Sequence, residues 1–181
     1  MTASLVIPLL FAFPLGSPAQ ANSPGAPGCG PADVKLDVKS DHDRHAAPSI
    51  EPGKSLIVFL QDDAEFESRP RPTTRFGIDG TWVGATQANS YFYFSVDAGE
   101  HHVCANWQSW VVPGPKRSTG AMHFTAEAGK TYYVRGRDIA LYDHPGGSLI
   151  GTPEIKLNLV DSDEGLVLIS SFAFSSSHAK K

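Results

Sequence analysis

Hydrophobic and polar residues alternate along several short segments of the chain. Val34, Leu36 and Val38 alternate with charged residues, a pattern typical of a strand with one buried face. The run over 55–60 is almost entirely apolar, which favours a central strand that is covered on both faces. Other segments with the composition of strands are 75–78, 81–84, 91–96, 101–107, 121–126, 131–135 and 155–160. The pattern therefore predicts about eight strands separated by turns.

Two glycine-containing turns indicate hairpins between these segments. Asp79-Gly80 predicts a tight turn that joins the strands on either side of it, because glycine accepts positive φ at no steric cost. Ala128-Gly129 predicts a second hairpin, between 121–126 and 131–135.

One helix is expected near the C-terminus. Asp161 stands three residues before Glu164, as in a capping box. Leu166 and Ile169 follow at helical spacing, which predicts a short helix over 162–171. The whole order of elements predicts a mostly β protein, either an antiparallel β-sandwich or an open barrel of about eight strands, with this helix near its end.

The N-terminal residues have the composition of a signal peptide. The first 21 residues carry no charged side chain, and the apolar run over 5–13 is shorter than the roughly 20 residues that span a bilayer. Ala19-Gln20-Ala21 follows as a small-x-small cleavage pattern. We therefore expect an exported protein in the periplasm or elsewhere in a bacterial cell envelope. The expected organisation is a signal peptide over 1–21, a flexible linker over 22–33, a single β-sandwich domain over 34–175 and a disordered tail over 176–181.

Composition narrows the class of partner. Of 181 residues, 41% are hydrophobic and 19% are charged, with a net charge of -4, so one domain with a sizeable core is expected. Lysine and arginine form no long cluster, which argues against a nucleic-acid partner. After the signal peptide, no segment has the length and apolar character of a membrane helix. An envelope protein or a glycan of unknown identity is the expected partner, and no cofactor is expected.

The two cysteines allow two alternative kinds of chemistry. In an exported protein, Cys29 and Cys104 are expected to form a disulfide. Alternatively, strand alternation puts His102 and Cys104 on one face, where they could bind zinc or copper together with His42 or His45. Cys104 cannot be both a thiolate ligand and part of a disulfide. Its oxidation state therefore distinguishes the two hypotheses, a binding module and a periplasmic metal protein.

Catalytic motifs do not occur in the sequence. It has neither a Gly-x-Ser-x-Gly elbow nor a His-Glu-x-x-His helix. The adjacent acids Asp62 and Asp63 are expected to point apart, as neighbours at a strand end do. We therefore expect a protein that is not an enzyme, with a hydrolase of unrecognised site as a third alternative.

The expected ligand surface consists of loops. Trp110, Lys116 and Arg117 combine an aromatic ring with positive charge beside a strand end, and the charged, proline-bearing stretch 62–72 is a second surface loop. Trp107 shares a strand face with Val103 and is therefore expected in the core.

Several motifs resemble one bacterial family. Asp79-Gly80, a glycine a few residues later, a strand, and then Gly99-Glu100-His101 form the pattern, and 29–35 and 126–133 add to it. Over 29–175 the chain resembles the bacterial domain of unknown function 2846 family, whose members are exported or lipid-anchored. The same motif is more weakly similar to the surface modules called PEGA domains. The resemblance implies an exported β domain, and it implies no catalytic residue.

Overall fold

Ten strands and one helix make up the described part of the chain. The computed structural model describes residues 28–43, 46–108, 117–144 and 146–180. In chain order the elements are β1 (Leu36–Asp41), β2 (Lys54–Asp62), β3 (Thr73–Ile78), β4 (Thr81–Gln87), β5 (Ser90–Asp97), β6 (Gly99–Trp107), β7 (Thr119–Ala126), β8 (Thr131–Tyr142), β9 (Leu149–Val160), α1 (Ser162–Ser171) and β10 (Ala173–Ala179).

The strands form two sheets that pack face to face. The six-stranded sheet has the order β1-β10-β5-β2-β8-β9, and the four-stranded sheet has the order β4-β3-β6-β7. One core cluster draws residues from both sheets, including Phe59 of β2 and Phe76 of β3, whose ring centroids lie 4.9 Å apart. The predicted mostly β architecture with one short helix near the C-terminus is confirmed, as a sandwich rather than a closed barrel.

Two details of the pairing differ from the expected antiparallel hairpins. β2 pairs with β8 in parallel, and so does β5 with β10. The expected hairpin across Ala128-Gly129 is wrong, because β7 pairs with β6 in one sheet and β8 pairs with β2 and β9 in the other. This turn therefore carries the chain between sheets. The hairpin at Asp79-Gly80 is confirmed, with β3 and β4 paired next to it and both turn residues at positive φ.

The C-terminal segment is a strand where a disordered tail was expected. β10 pairs with β1 from Phe174 opposite Asp41 to Ala179 opposite Leu36, so 176–179 belong to the sheet. Its sequence is rich in serine, a composition that predicts coil rather than a strand. However, Ser175 is buried, and its Oγ lies 3.4 Å from that of Ser90. Paired serines thus replace the apolar residues that mark most buried strands.

The central strand β2 is covered on both faces, as predicted. Ile57 and Phe59 point into the core between the sheets, whereas Val58 and Leu60 belong to a second cluster on the outer face of the six-stranded sheet. All four side chains are at most 1% exposed. Because β2 has a sheet neighbour on each side and a core on each face, it is the most enclosed strand of the fold.

Helix α1 packs on that outer face. It begins where predicted, with the Asp161 side chain accepting a hydrogen bond of 2.8 Å from the Glu164 amide. The Glu164 side chain does not complete a capping box, because it pairs with Arg135 of β8. Gly165 is the buried residue of the helix, and it lies against the Tyr133 ring. Among the residues described, no helix is long and apolar enough to cross a membrane.

Replacing Gly165 tests this contact. In an open helix position, Gly→Ala stabilises by up to about 1 kcal/mol. Here a Cβ would lie 2.4 Å from the Tyr133 ring, so we expect Gly165→Ala to destabilise the protein by about 1–3 kcal/mol in urea unfolding. Val167→Ala, at a position 68% exposed on the same helix, is the control and should change stability little. A stabilised Gly165→Ala variant would contradict the packing described.

Candidate functional site

The N-terminal end of the described chain is strapped to the four-stranded sheet. Cys29 and Cys104 form a disulfide with a Cα–Cα distance of 5.0 Å. Residues 28–35, here called the N-terminal strap, run along the outer face of β6 and β3 from this bond. Gly77 of β3 allows the close approach, since a Cβ there would lie 2.5 Å from the Gly28 carbonyl oxygen. The expected flexible linker is therefore held in place over residues 28–33, and residues 22–27 lie outside the described part.

Side chains of the sheet hold the strap along its length. The Trp82 indole donates a hydrogen bond of 2.7 Å to the Pro31 carbonyl. Arg75 is 5% exposed, donates to the Val34 carbonyl, and lies 4.3 Å from the Trp82 ring centroid. These contacts use a cation–π pair and charge-assisted hydrogen bonds. The strap thus covers the part of this outer face around Arg75, Gly77 and Trp82.

The residues considered for a metal site do not come together. The sulfur of Cys104 lies in the disulfide, which excludes it as a thiolate ligand in this state. His102 is exposed and faces His123 of β7, with ring centroids 6.1 Å apart, whereas His42 lines a hollow with Asn89 and Ser171. Within the described ranges, no group of three or more potential metal-ligating side chains was found. His45 lies outside those ranges.

The Asp79-Gly80 and Gly99-Glu100-His101 motifs meet as structural partners. The Asp79 carboxylate lies 2.7 Å from His101 Nδ1 and accepts a hydrogen bond of 2.8 Å from the His102 amide. Burial disfavours the charged imidazole, but the hydrogen bond and negative charge of Asp79 outweigh it and raise the pKa of His101. The two motifs on which the family resemblance rests therefore link the β3–β4 turn to β6.

The surface loops meet at one end of the sandwich. Asp62 at the end of β2 lies opposite Arg137, and Gln61 lies opposite Ser90 at the start of β5. Thr74 near the start of β3 lies opposite Trp107 at the end of β6. The described residues of this loop end are 63–72, 88–89, 108, 117–118, 143–144 and 146–148. Trp107 is 5% exposed in the shared core, as predicted.

Of the expected binding surface, only Arg117 and 62–72 are described. Trp110 and Lys116 lie outside the described residues. The Arg117 side chain is 77% exposed and lies 3.4 Å from Glu154, while its backbone amide donates to the Pro153 carbonyl. Arg117 is therefore seated beside β9 at the loop end, where its guanidinium faces solvent.

A buried polar network stands directly beneath the loop end. The Gln61 side-chain amide donates to Asp63 at 2.8 Å and to Asp138 of β8 at 2.9 Å. Thr74 of β3 donates to the same Asp138 oxygen at 2.9 Å, and Thr86 of β4 donates to the Gln61 carbonyl oxygen at 2.7 Å. All five side chains are at most 1% exposed. The network therefore joins β2 and β8 of one sheet to β3 and β4 of the other.

Both carboxyl groups of the network have raised pKa values. Burial raises the pKa of Asp138 well above its ordinary value, and the neighbouring charge of Asp63 raises it further. Burial also raises the pKa of Asp63, against the opposing effects of Gln61 and Arg71. The interaction between the two acids lowers the pKa of Asp63 and raises that of Asp138. Asp138 is therefore the acid that holds its proton to the higher pH.

This network anchors the loop 63–72. The Arg71 guanidinium donates to the Asp63 carbonyl at 2.6 Å and lies 3.9 Å from its carboxylate. Phe66 is fully buried and packs edge-on against Trp107, with centroids 5.6 Å apart. The amide of Glu67 donates to the Ala140 carbonyl at 2.9 Å. Backbone, apolar and charged contacts therefore hold the loop against β8.

The anchored loop forms one wall of an open cleft of about 810 Å³. Residues 142–144 and 146 form the opposite wall, and the Tyr142 amide donates a hydrogen bond of 2.7 Å to the Glu67 carboxylate. The lining side chains are mostly polar or charged: Glu67, Ser68, Arg69, Arg71, Tyr142, Asp143 and His144. A smaller hollow of about 300 Å³ lies against the other side of Arg69 and Arg71. This geometry is suited to binding a polar ligand.

The acid pair was not found by sequence reasoning. Asp62 and Asp63 do point apart, as expected, with Asp62 lying 3.9 Å from Arg135 at the sheet surface. The true partner of Asp63 is Asp138, which is 75 positions away and belongs to a strand predicted to end at 135. Only the pairing of Gln61 and Asp62 with Gly136 and Arg137 brings the two acids together. No local sequence pattern predicts which residues of β2 and β8 lie opposite each other.

The raised pKa of Asp138 predicts a pH dependence of stability. Because the folded state holds a proton that the unfolded chain releases, this contribution is full below the ordinary aspartate pKa and is lost as pH rises through the folded value. Asp138→Asn cannot lose a proton, so its unfolding free energy should fall less than that of the wild type between pH 5 and 9, by on the order of 1 kcal/mol or more. Urea unfolding at several pH values measures this.

Asp43→Asn is the matched control for that measurement. Asp43 is exposed, so its replacement should leave the shape of the stability profile unchanged. If the profile of Asp138→Asn ran parallel to the wild-type profile, the proton assignment would be wrong.

No family model, no curated protein and no solved structure matches the chain. The resemblance to the domain of unknown function 2846 family stays a prediction from sequence motifs.

Proposed function

We propose that the chain is an exported, non-catalytic binding module of a bacterial cell envelope, with its ligand site in the cleft at the loop end. The observation that carries this proposal is the anchored cleft of about 810 Å³. Loops that protrude from a rigid sandwich are where such folds generally bind ligands. The ligand is an envelope protein or glycan.

Export is supported by two independent features. The apolar N-terminal run with its Ala19-Gln20-Ala21 pattern is typical of a signal peptide. The Cys29–Cys104 disulfide, which closes a separation of 75 residues, is typical of an oxidising compartment such as the periplasm. A bond that closes a loop of this length stabilises a fold by about 4 kcal/mol in the chain-entropy model.

The non-catalytic part of the proposal is supported by the state of the acid pair. Asp63 and Asp138 are the obvious candidates for acid–base chemistry, but they are 1% and 0% exposed. Gln61 donates to one oxygen of each acid and Thr74 donates to Asp138, and their burial keeps both acids from contact with a substrate. The pair is therefore suited to holding the loop, since a general acid or base must lie within hydrogen-bond reach of its substrate.

Arg117 is the described part of the expected surface at Trp110, Lys116 and Arg117. Gln108 and Arg117, the described residues on either side of 109–116, both lie at the loop end, where the Gln108 amide donates to the Thr73 carbonyl at 3.0 Å. Trp110 and Lys116 remain part of the proposal from the sequence.

Filling the cleft tests the proposed function. The full chain should be recovered from the periplasm as a polypeptide that begins near Asn22, and it should sediment with isolated envelope material. Ser68 lines the cleft and lies 3.4 Å from the Tyr142 hydroxyl, so Ser68→Trp should occupy the space and reduce sedimentation about tenfold, equivalent to about 1.4 kcal/mol.

Ser162→Trp is the matched control, because Ser162 is exposed at the start of α1 and does not line the cleft. Its sedimentation should equal that of the wild type, and both variants must unfold at the wild-type temperature. If the wild type and both variants sedimented equally, the cleft would not be the ligand site. Recovery of the uncleaved chain from the cytoplasm would contradict the proposed export.

A further inference from the structure

Two arginines stand side by side at the mouth of the cleft. Arg69 and Arg71 flank Pro70, and both line the cleft of about 810 Å³ and the hollow of about 300 Å³ behind it. They therefore form a ridge between two open spaces, and both guanidiniums can be approached by a ligand.

The positive charge of this ridge is only partly balanced. Burial lowers the pKa of Arg71, the charge of Asp63 opposes this effect, and the like charge of Arg69 adds to it. Arg71 has Asp63 as its partner. Arg69 is exposed, and among the described residues it has no ion pair. The Arg69 guanidinium can therefore pair with an anion that enters the cleft.

The acidic side chains of the cleft are already engaged elsewhere. Glu67 accepts the Tyr142 amide at 2.7 Å, and the Asp143 carboxylate lies 2.8 Å from His144 Nδ1. Neither forms an ion pair with Arg69. Hydroxyl groups of Ser68 and Tyr142 stand on the two walls, and hydroxyls can donate to an oxyanion.

Arg71 is held in place before any ligand arrives. Its Nη1 donates to the Asp63 carbonyl, and its guanidinium lies 5.9 Å from the Phe66 ring centroid. Asp63 is fixed in turn by Gln61. A cation oriented in advance loses less conformational entropy on binding.

We propose that the cleft binds its ligand through an oxyanion, a carboxylate or phosphate group, held between Arg69 and Arg71. This inference rests on the proposed function and names the chemistry of the ligand at the same site. The planar guanidinium presents paired N–H donors that match both groups. An acidic sugar or a phosphate-bearing envelope component would supply them.

Titration with simple probes tests the inference. Inorganic phosphate, glucuronate and glucose are added separately to the cleaved, disulfide-bonded protein, and binding is followed by NMR shifts of the amides of 67–69, 71, 142–144 and 146. Phosphate or glucuronate should bind and glucose should not, and the affinity should fall as sodium chloride is raised, because salt screens exposed charges. The stronger of the two anions indicates which group the natural ligand carries.

Arg69→Gln should weaken the binding of the preferred anion about tenfold, since an exposed arginine loses its charge and its paired donors. Lys39→Gln removes the same charge from an exposed site on β1 and should alter the affinity less than about twofold. Equal weakening by both variants, or no anion binding at all, would overturn the inference. If glucose bound and Ser68→Trp abolished that binding, the anion inference would be wrong, but the proposed binding module would still be supported.

Discussion

The side-chain amide of Gln61 is the contact on which the loop end of this molecule depends. It lies at the end of the most enclosed strand, where it is fully buried. It donates to two acids and accepts from Thr86, so a single group ties both sheets together. A buried polar group left without partners costs about 1–3 kcal/mol, and a buried charge costs more. Loss of any one of these hydrogen bonds is therefore expected to destabilise the network.

The network also determines which charged groups reach the cleft. The Asp63 carboxylate lies 3.9 Å from Arg71, whose guanidinium also donates to the Asp63 carbonyl. Arg71 is thereby held at the cleft while Arg69 remains exposed beside it. The contacts lead from the end of β2, through the two buried acids, to a pair of cations at the surface. The loop above the acids is held against β8 by the hydrogen bond from the Glu67 amide to the Ala140 carbonyl.

The parts of the fold that could be predicted from sequence are those with a local signal. The apolar run of β2, the Asp79-Gly80 turn and the Asp161 cap each depend on neighbours within a few positions, and all three were predicted correctly. β10 was missed because its buried positions include Ser175. The partner of Gln61, Asp138, lies 77 positions away. For the candidate site, 62–72 was identified as a surface loop, but its acid pair depends on a register that no local pattern encodes.

The central claim is that the network beneath the loop end holds the arginine-bearing loop in place. Hydrogen exchange of the Phe66 and Glu67 amides, compared between the wild type and Thr86→Val, tests it most directly. Valine keeps the shape of threonine but leaves the Gln61 carbonyl oxygen without its donor, a loss of about 1–3 kcal/mol. We predict that exchange at these loop amides rises about tenfold or more, because about 1.4 kcal/mol corresponds to a factor of ten. Loop exchange equal to that of the wild type, in a variant that has lost global stability, would contradict the account.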